Sequence, residues 1–348
     1  MKKKLLYGVL TSAVIAFASC ENGDNEFDNF DYSTVKFSTQ YAARTVELGD
    51  DNEVDLTDDN NHIIRIQANW GGGYSNGQNV AIDYVVDPAL CEGISFYEGE
   101  KKTDLVPMPA SYYELKSDKI YIPSGKIRGG VEVKLTDAFF ADPKSVENYY
   151  VIPLRMTGVQ GADSILSGKV QVGIDNPSLT TTSDWSVQPK NYVLYAVKFV
   201  NPYHGLYARR GVDVATINGQ SASIVRHEQY VEKDEAVSMS TKSLTDNILP
   251  ITVKDASGVN HTVNVRIKFA ADGTCTLSTE DAGVTVSGTG KFVKKGEKNS
   301  LGGKDRDALY LDYQMDMSDL NMKFATKDTL VMKVRNVYGA GEFKYVKE

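Results

Sequence analysis

The sequence is poor in the residues that build cross-linked or metal-held frameworks. Among 348 residues there are three cysteines, four histidines and two tryptophans. Cys20 ends the first apolar run, so Cys91 and Cys275 are left, one in each half of the chain. We expect two buried free thiols rather than a bridge between the halves. The histidines are scattered without the spacing of zinc ligands, so neither a metal site nor a cofactor is predicted.

Catalytic motifs are missing as well. No G-x-S-x-G elbow is present, and no pair among the 46 acidic residues stands in a motif typical of glycosidases. The acidic segment 50–62 lacks the glycine and terminal glutamate of a helix-loop-helix calcium site, so we expect a solvated hairpin tip there. The sequence therefore predicts no catalytic residues and no enzyme.

Positive charge is also scarce, since 38 basic residues stand against 46 acidic ones. Three of the lysines, Lys2, Lys3 and Lys4, open the chain, and without them the net charge would be about −11. A chain of this charge offers no basic patch to nucleic acid, so that class of partner is excluded.

What the chain does have at its start is an export signal. The three lysines precede an apolar run at residues 5–17, which is too short to span a bilayer, and then Ala18, Ser19 and Cys20. This pattern predicts residues 1–19 to be a lipoprotein signal peptide, with lipid on Cys20 as the only membrane contact. An ordinary cleaved signal with an incidental cysteine is the alternative. The acidic residues that follow predict a flexible tether at 20–31.

The remaining chain indicates an all-β protein of two domains. Residues 32–177 hold short alternating runs separated by Gly, Asn, Asp and Pro, which predict an immunoglobulin-like β-sandwich. Residues 178–190 are polar and predict a linker. Residues 191–348 hold longer strands with tight turns, and buried-type residues alternate with polar ones at 263–269. They predict an up-and-down β-barrel, with a second sandwich as the alternative.

Two sets of segments carry a family resemblance. PKNYVLYAVKFVNPYHGLYARRG at 189–211 and SGTGKFVKKGEKNSLGGKDRDALYLDYQMDM at 287–317 resemble the C-terminal module of Bacteroidetes surface lipoproteins from polysaccharide-utilisation loci. VKFSTQYAARTVELGDD, AIDYVVDPAL and NYYVIPLRMTGVQGADSILSG resemble the module paired with it, which also precedes some glycosidases. The acidic stretch after Cys20 resembles the surface-export signal of the same lipoproteins.

The resemblance implies an immunoglobulin-like domain followed by a lipocalin-like barrel. It also implies an outer-membrane address facing the cell exterior, and work beside a TonB-dependent transporter and its glycan-capturing lid lipoprotein. The second half of this chain is too short for a glycosidase barrel and lacks strand-helix alternation.

Sugar binding in water uses aromatic rings against C–H faces and polar side chains that bond hydroxyls. The candidates in the first domain surround a glycine-rich segment, although Trp70 could instead cover the core. In the second half, Trp185 could close a barrel end or the domain interface, and the two tyrosines could be packing residues. The glycan-binding candidates are Trp70, Tyr74, Asn76, Gln78, Trp185, Tyr203 and Tyr207.

These observations lead to one leading hypothesis and two alternatives. The leading one is a non-catalytic surface lipoprotein that captures oligosaccharide or polysaccharide for a TonB-dependent uptake system. The first alternative is a surface adhesin or structural interaction protein. The second is a barrel that binds a small apolar ligand, which would need a deep, dry cavity in the C-terminal domain.

Overall fold

The chain folds almost entirely into β-strands, as its alternating pattern predicts. A computed structural model describes residues 30–51 and 53–347, and contains 26 strands and two short α-helices in that part. The all-β prediction is confirmed, with a large mixed sheet in the N-terminal part and a closed antiparallel barrel in the C-terminal part. Cys20, the expected signal and the tether up to residue 29 lie outside the described residues.

The N-terminal body contains fifteen strands and both helices. Its strands are β1 (Thr34–Lys36), β2 (Tyr41–Glu47), β3 (Ile63–Gly71), β4 (Val80–Val86), β5 (Ile94–Glu98), β6 (Lys101–Asp104), β7 (Val106–Pro107), β8 (Tyr113–Leu115), β9 (Lys119–Ile122), β10 (Arg128–Leu135), β11 (Tyr150–Gln160), β12 (Ser164–Ile165), β13 (Lys169–Val170), β14 (Trp185–Val187) and β15 (Tyr192–Val200). The helices are α1 (Thr57–Asn60) and α2 (Asp137–Ala141), and single 3₁₀ turns occur at Pro88–Cys91, Ala110–Tyr112, Pro143–Val146 and Thr182–Asp184.

The main sheet of this body runs β12-β1-β3-β10-β9-β4-β11-β15-β2, with β7 beside β11 and β8 beside β10. The β1–β12, β7–β11 and β2–β15 pairs are parallel, and the others are antiparallel. Core-facing residues of β3 and of β15, such as Ile66 and Val197, belong to one buried cluster. The sheet therefore wraps around its own core and packs like a sandwich.

Strand β15 lies on the other side of the predicted domain boundary. The sequence predicts that residues 191–200 belong to the barrel, but β15 pairs with β11 and β2 inside the N-terminal sheet. Its two faces contact two different clusters, one around Val193 and Val197 and another around Leu194 and Ala196. Burial on both faces explains why this strand is apolar or aromatic at every position except Lys198, unlike the alternating strands of a barrel wall.

The barrel follows directly after residue 202. Its strands are β16 (Gly205–Ile217), β17 (Gln220–Arg226), β18 (Glu235–Thr241), β19 (Asp246–Lys254), β20 (Asn260–Phe269), β21 (Thr274–Thr279), β22 (Thr285–Glu297), β23 (Arg306–Met317) and β24 (Met322–Val334), with 3₁₀ turns at Val231–Lys233, Leu301–Gly303 and Ser318–Leu320. Strands β18 to β24 form an antiparallel meander, and β24 pairs along the length of β16 to close it. The first half of β16 pairs with β18 and the second half with β17.

Side chains fill the barrel interior. Val263, Val265, Ile267 and Phe269 on β20 point inward and are buried, while Asn264 and Lys268 are exposed. Gly288 and Gly290 on β22 have no room for a side chain, since a Cβ there would lie 2.4 Å from the Tyr313 side chain and 2.5 Å from the Leu311 side chain. This packed interior contradicts the alternative of a barrel with a deep, dry cavity for a small apolar ligand.

One layer of the interior is charged, and we call it the charged layer. It consists of Arg209, Asp213, Arg226, Glu235, Tyr313, Thr326 and Asp328. Arg209 Nε donates to Asp328 over 2.8 Å, and Arg226 bonds both Asp213 and Asp328. Burial alone would raise the pKa of Asp213, but hydrogen bonds from Arg226 and Thr326 outweigh it and lower that pKa. Within the layer every other guanidinium nitrogen is bonded, while Arg226 Nη1 is buried without a partner among the described residues.

The end of the chain returns from the barrel to the N-terminal body. β25 (Ala340–Glu342) pairs with β2, and β26 (Tyr345–Lys347) pairs with β5. Between them Phe343 is buried in the second N-terminal cluster. At the junction, the buried guanidinium of Arg335 donates to the backbone carbonyls of Leu48 (3.1 Å) and Asn201 (2.9 Å). The barrel is therefore connected to the N-terminal body by two chain crossings.

Candidate functional site

The predicted glycan-binding residues of the first domain have different surroundings. Trp70 is half-buried on β3 and packs against the main N-terminal core. Asn76 is buried, and its amide donates to the carbonyls of Pro123 and Lys126, both at 3.0 Å. Gln78 donates to Gly161 O over 3.2 Å, and the Tyr74 side chain is exposed. Of the two aromatic rings, that of Tyr74 is more accessible than that of Trp70. The Asn76 amide joins two loops.

The candidates of the second half serve packing in the structure. Tyr203 stacks on Phe269 with 3.6 Å between ring centroids, and it meets Phe292 edge-on. Tyr207 is fully buried and its hydroxyl donates to Tyr203 O over 2.7 Å. Trp185 lies on β14, where its indole nitrogen donates to Ser178 O over 2.8 Å. The structure thus places Trp185 beside residues 168–178 of the N-terminal body.

The acidic segment 50–62 is not a hairpin tip. It contains helix α1, and the carboxylate of Asp59 is buried, where it accepts from Glu47 N over 2.8 Å and pairs with Arg44. Asp55 accepts from the backbone and hydroxyl of Thr57. Within the described residues, no group of three or more His, Cys, Asp or Glu could hold a metal ion.

The two cysteines that remain after Cys20 are free and buried, as expected. Burial raises the pKa of Cys275 to about 12, and burial together with the nearby Asp87 carboxylate does the same for Cys91. Both thiols therefore stay protonated and unreactive near neutral pH. Over the described part of the chain, none of the helices has the length and apolar character needed to cross a membrane.

A polar cavity of about 430 Å³ lies where the N-terminal sheet folds over itself, and we call it the seam groove. Strand β1 covers only the end of β3, at residues 69–71, so the edge of β3 before that point faces β2 and β15 across a gap. Its polar and aromatic lining includes Arg44, Arg65, Gln67, Asn69, Arg128 and Tyr195.

The sequence of β3 explains why the groove is polar. In IIRIQANWG, Ile64, Ile66 and Ala68 point into the core and are buried. Successive strand residues point to opposite faces, so Arg65 and Gln67 project from the other side. In register with them, β10 places Glu132 opposite Arg65 and Gly130 opposite Gln67. A Cβ at position 130 would lie 2.7 Å from the backbone oxygen of Ile66 and 3.3 Å from the Gln67 side chain, so the close approach of the two strands requires glycine there.

Two of the three arginines in the groove are already paired. Arg65 forms ion pairs with Asp58 and Glu132, and the Asp58 hydrogen bond raises its pKa. Arg44 pairs with Asp59 and donates to Gly339 O over 2.8 Å. Across the gap, the Tyr195 hydroxyl donates to the backbone oxygen of Arg65 over 3.3 Å, and burial raises the pKa of Tyr195.

The third arginine is different. Arg128 opens β10 opposite Asn69, so the two side chains share a face of the sheet. Its guanidinium is exposed and has no ion pair or hydrogen-bond partner among the described residues. The Asn69 side-chain oxygen is buried, yet it too has no partner there. The groove therefore holds an unpaired cation beside an unsatisfied acceptor, while its other charges are neutralised.

The seam groove is not predicted by the sequence alone. Its walls come from β2, β3, β10, β15 and the chain end at Ala340, which are far apart in sequence. One local signal was available, namely the alternation of Arg65, Gln67 and Asn69 with apolar residues. That signal marks the outer face of a strand, but it does not show which other segments meet that face.

Comparison with known proteins supports the two-part organisation. Residues 27–163 match a family model described as an N-terminal domain, and residues 202–336 match a domain of unknown function, DUF5627. A crystal structure of a Bacteroides ovatus protein of unknown function is 56% identical in sequence, with a TM-score of 0.88. The match covers 92% of this chain and all of the Bacteroides ovatus chain.

Two other solved structures are much more distant. An auxiliary nutrient-binding protein of Bacteroides thetaiotaomicron is 13% identical with a TM-score of 0.36, over 83% of this chain and 90% of its own. A proposed carbohydrate-binding protein of Bacteroides ovatus is 12% identical with a TM-score of 0.24, over 90% of this chain and 97% of its own. Similarity at this level carries no argument about function. A search of curated proteins found no match.

Proposed function

The chain belongs to the same family as the 56% identical Bacteroides ovatus protein, and from that premise we propose that it is a non-catalytic surface lipoprotein that binds oligosaccharide in the seam groove. The observation that carries this proposal is the groove itself. Its volume of about 430 Å³ falls in the range of about 300–1,000 Å³ typical of ligand sites.

The groove combines the contacts that a sugar needs. Gln67 and Arg128 have no hydrogen-bond partner among the described residues, so both are free to bond hydroxyl groups. The half-buried ring of Tyr195 lies across the gap from them. An amide, a guanidinium and an aromatic ring around one cavity match the polar and stacking contacts of carbohydrate recognition.

A binding role fits the carboxylates of the groove better than a hydrolytic one. Glycosidases use two carboxyl groups about 5–10 Å apart, one of which acts as an acid. In the described part of the groove, Asp58 is the lining carboxylate, and it is held by Arg65. Glu132 beside it pairs with the same arginine.

The membrane address and the partners rest on the sequence. Lys2 to Lys4, the apolar run at 5–17 and Cys20 support a lipid anchor, and the acidic residues after Cys20 support export to the outer face of the outer membrane. The family resemblance supports delivery of the bound glycan to a TonB-dependent transporter and its lid lipoprotein.

Affinity electrophoresis and calorimetry against a panel of plant and host glycans would test the proposal. We expect at least one glycan to retard the wild-type protein, and Gln67→Ala to weaken that binding about tenfold. Lys268→Gln, on the outer wall of the barrel, is the matched control and should bind as the wild type does. If no glycan binds and a deletion strain grows normally on all of them, the proposal is wrong.

A further inference from the structure

We propose that the seam groove selects an acidic sugar, with a hexuronate carboxylate bound by Arg128 and a neighbouring hydroxyl bound by Asn69. This inference rests on the proposed glycan binding and adds the chemical class of the ligand. Two independent observations carry it, namely the unpaired guanidinium and the unsatisfied amide oxygen.

The guanidinium indicates an anion. Arginine presents a planar set of N–H donors that matches a carboxylate with two parallel hydrogen bonds. Arg44 and Arg65 are already ion-paired with Asp59 and Asp58, whereas Arg128 has no anionic partner in the described residues. The whole chain carries a formal charge of −8, so a cation without an anionic partner is unusual in a protein that has an excess of carboxylates.

The amide oxygen indicates a hydroxyl. A buried acceptor without a donor costs folding free energy, and a ligand O–H removes that cost. Asn69 lies directly opposite Arg128 in the β3–β10 register, so the donor and the anion must be adjacent on the ligand. A hexuronic acid carries its carboxylate next to ring hydroxyls, which satisfies both groups at once.

The position of Gln67 fits the same ligand. Its partner in the register, Gly130, has no side chain that could cover it, and the next pair on the same face of the sheet is Asn69 and Arg128. A sugar ring over Gln67 would then have its carboxylate at the Arg128 end and the rest of its chain toward Tyr195. The groove is open to solvent, so an oligomer can continue beyond it.

Calorimetry with three probes of equal length tests the inference: a hexuronate trisaccharide, the same trisaccharide with its carboxylates reduced to alcohols, and a sulfated neutral trisaccharide. We expect the wild type to bind the hexuronate about tenfold to a hundredfold more tightly than the reduced form. Arg128→Gln should bind both forms equally, and Arg128→Lys should keep part of the preference. Asn69→Asp should lose hexuronate binding through repulsion and keep binding of the reduced form.

Lys268→Gln removes the same charge from the barrel wall and should preserve the full preference. Equal binding of the acidic and reduced probes by the wild type would overturn the acidic class while leaving glycan binding intact. Preference for the sulfated probe would overturn the carboxylate assignment. Binding of none of these probes, nor of any glycan of the wider panel, would overturn the proposed function itself.

Discussion

Arginines occur in two contrasting settings in this molecule. In the charged layer of the barrel, Arg209 and Arg226 are bonded to Asp328, whose side chain is fully buried. In the seam groove, Arg128 lies on the surface and has no partner among the described residues. The same side-chain chemistry therefore stabilises the fold in one region and is available to a ligand in the other.

The contrast shows that the number of charged residues is a poor guide to a binding site. The charged layer has more ionisable groups than the groove, yet its carboxylates and guanidiniums bond one another. Arg226 keeps one buried nitrogen, Nη1, without a partner, but its Nε and Nη2 bond Asp213 and Asp328, so its charge is neutralised inside the fold. What distinguishes the groove is the absence of internal partners for Arg128 and for the Asn69 oxygen.

The largest effect is expected from breaking the charged layer. Asp328→Ala would leave two mostly buried guanidiniums without their shared carboxylate, and removal of one partner of a buried pair costs about 3–5 kcal/mol. Urea unfolding monitored by circular dichroism would measure the change. Asp312→Ala, at an exposed position on the outer face of β23, is the control and should change stability by less than about 0.5 kcal/mol.

If Asp328→Ala does not fold, Asp328→Asn keeps the shape and gives a smaller, measurable loss. A stability equal to that of the control variant would show that the charged layer does not hold the barrel together. In that case the paired arginines of the barrel would not stabilise the fold, and their contrast with the unpaired Arg128 of the seam groove would be lost.

An intermediate effect is expected from pH at the junction. Burial lowers the pKa of His204 to about 4, while an unfolded histidine titrates near 6.5. Between these values the unfolded state binds the proton and the folded state does not, so stability falls as the pH falls from about 6.5 to 4. The full loss, reached below about pH 4, is about 3 kcal/mol, since one pKa unit corresponds to about 1.4 kcal/mol.

Unfolding curves between pH 4 and 8 would reveal this dependence. His204→Gln should flatten the part of the curve below pH 6.5, whereas His227→Gln, an exposed position, should leave it unchanged. Identical pH profiles for both variants would show that folding does not lower the pKa of His204.

The smallest effect on stability is expected from the groove itself. Arg128→Gln removes a charge that bonds nothing in the described protein, so the free energy of unfolding should change by less than about 0.5 kcal/mol. The same urea experiment measures it beside Asp328→Ala. A loss above about 1 kcal/mol would mean that Arg128 serves the fold, and the two regions would no longer contrast.

Local sequence patterns predicted the barrel well. The alternation around Val263 and Val265 places one face of β20 inside, and tight turns join neighbouring strands, so the closed meander follows from short-range signals. The position of β15 did not follow, because a continuous apolar run does not reveal which two strands will flank it. The return of residues 340–347 to the N-terminal body is a long-range contact that no local pattern encodes.

The candidate residues show the same limit. Trp70 and Asn76 stand in a glycine-rich segment that is typical of a binding loop, but one packs on the core and the other joins two loops. Tyr203 and Tyr207 have aromatic rings of the kind that stack on sugars, but in the structure both tyrosines are part of the barrel packing. Residue type predicted aromatic and amide chemistry, while the fold decided which of these groups remain exposed.

The return of the chain end also sets the order of folding. β2 and β5 are made early in synthesis, yet their partners β25 and β26 are made after the whole barrel. The barrel strands, at 205–334, can pair among themselves as soon as they emerge, whereas the N-terminal sheet keeps an unpaired edge until the final segment arrives. Completion of the first domain is therefore a late, long-range step, and until then the open edge of β2 is exposed to other chains.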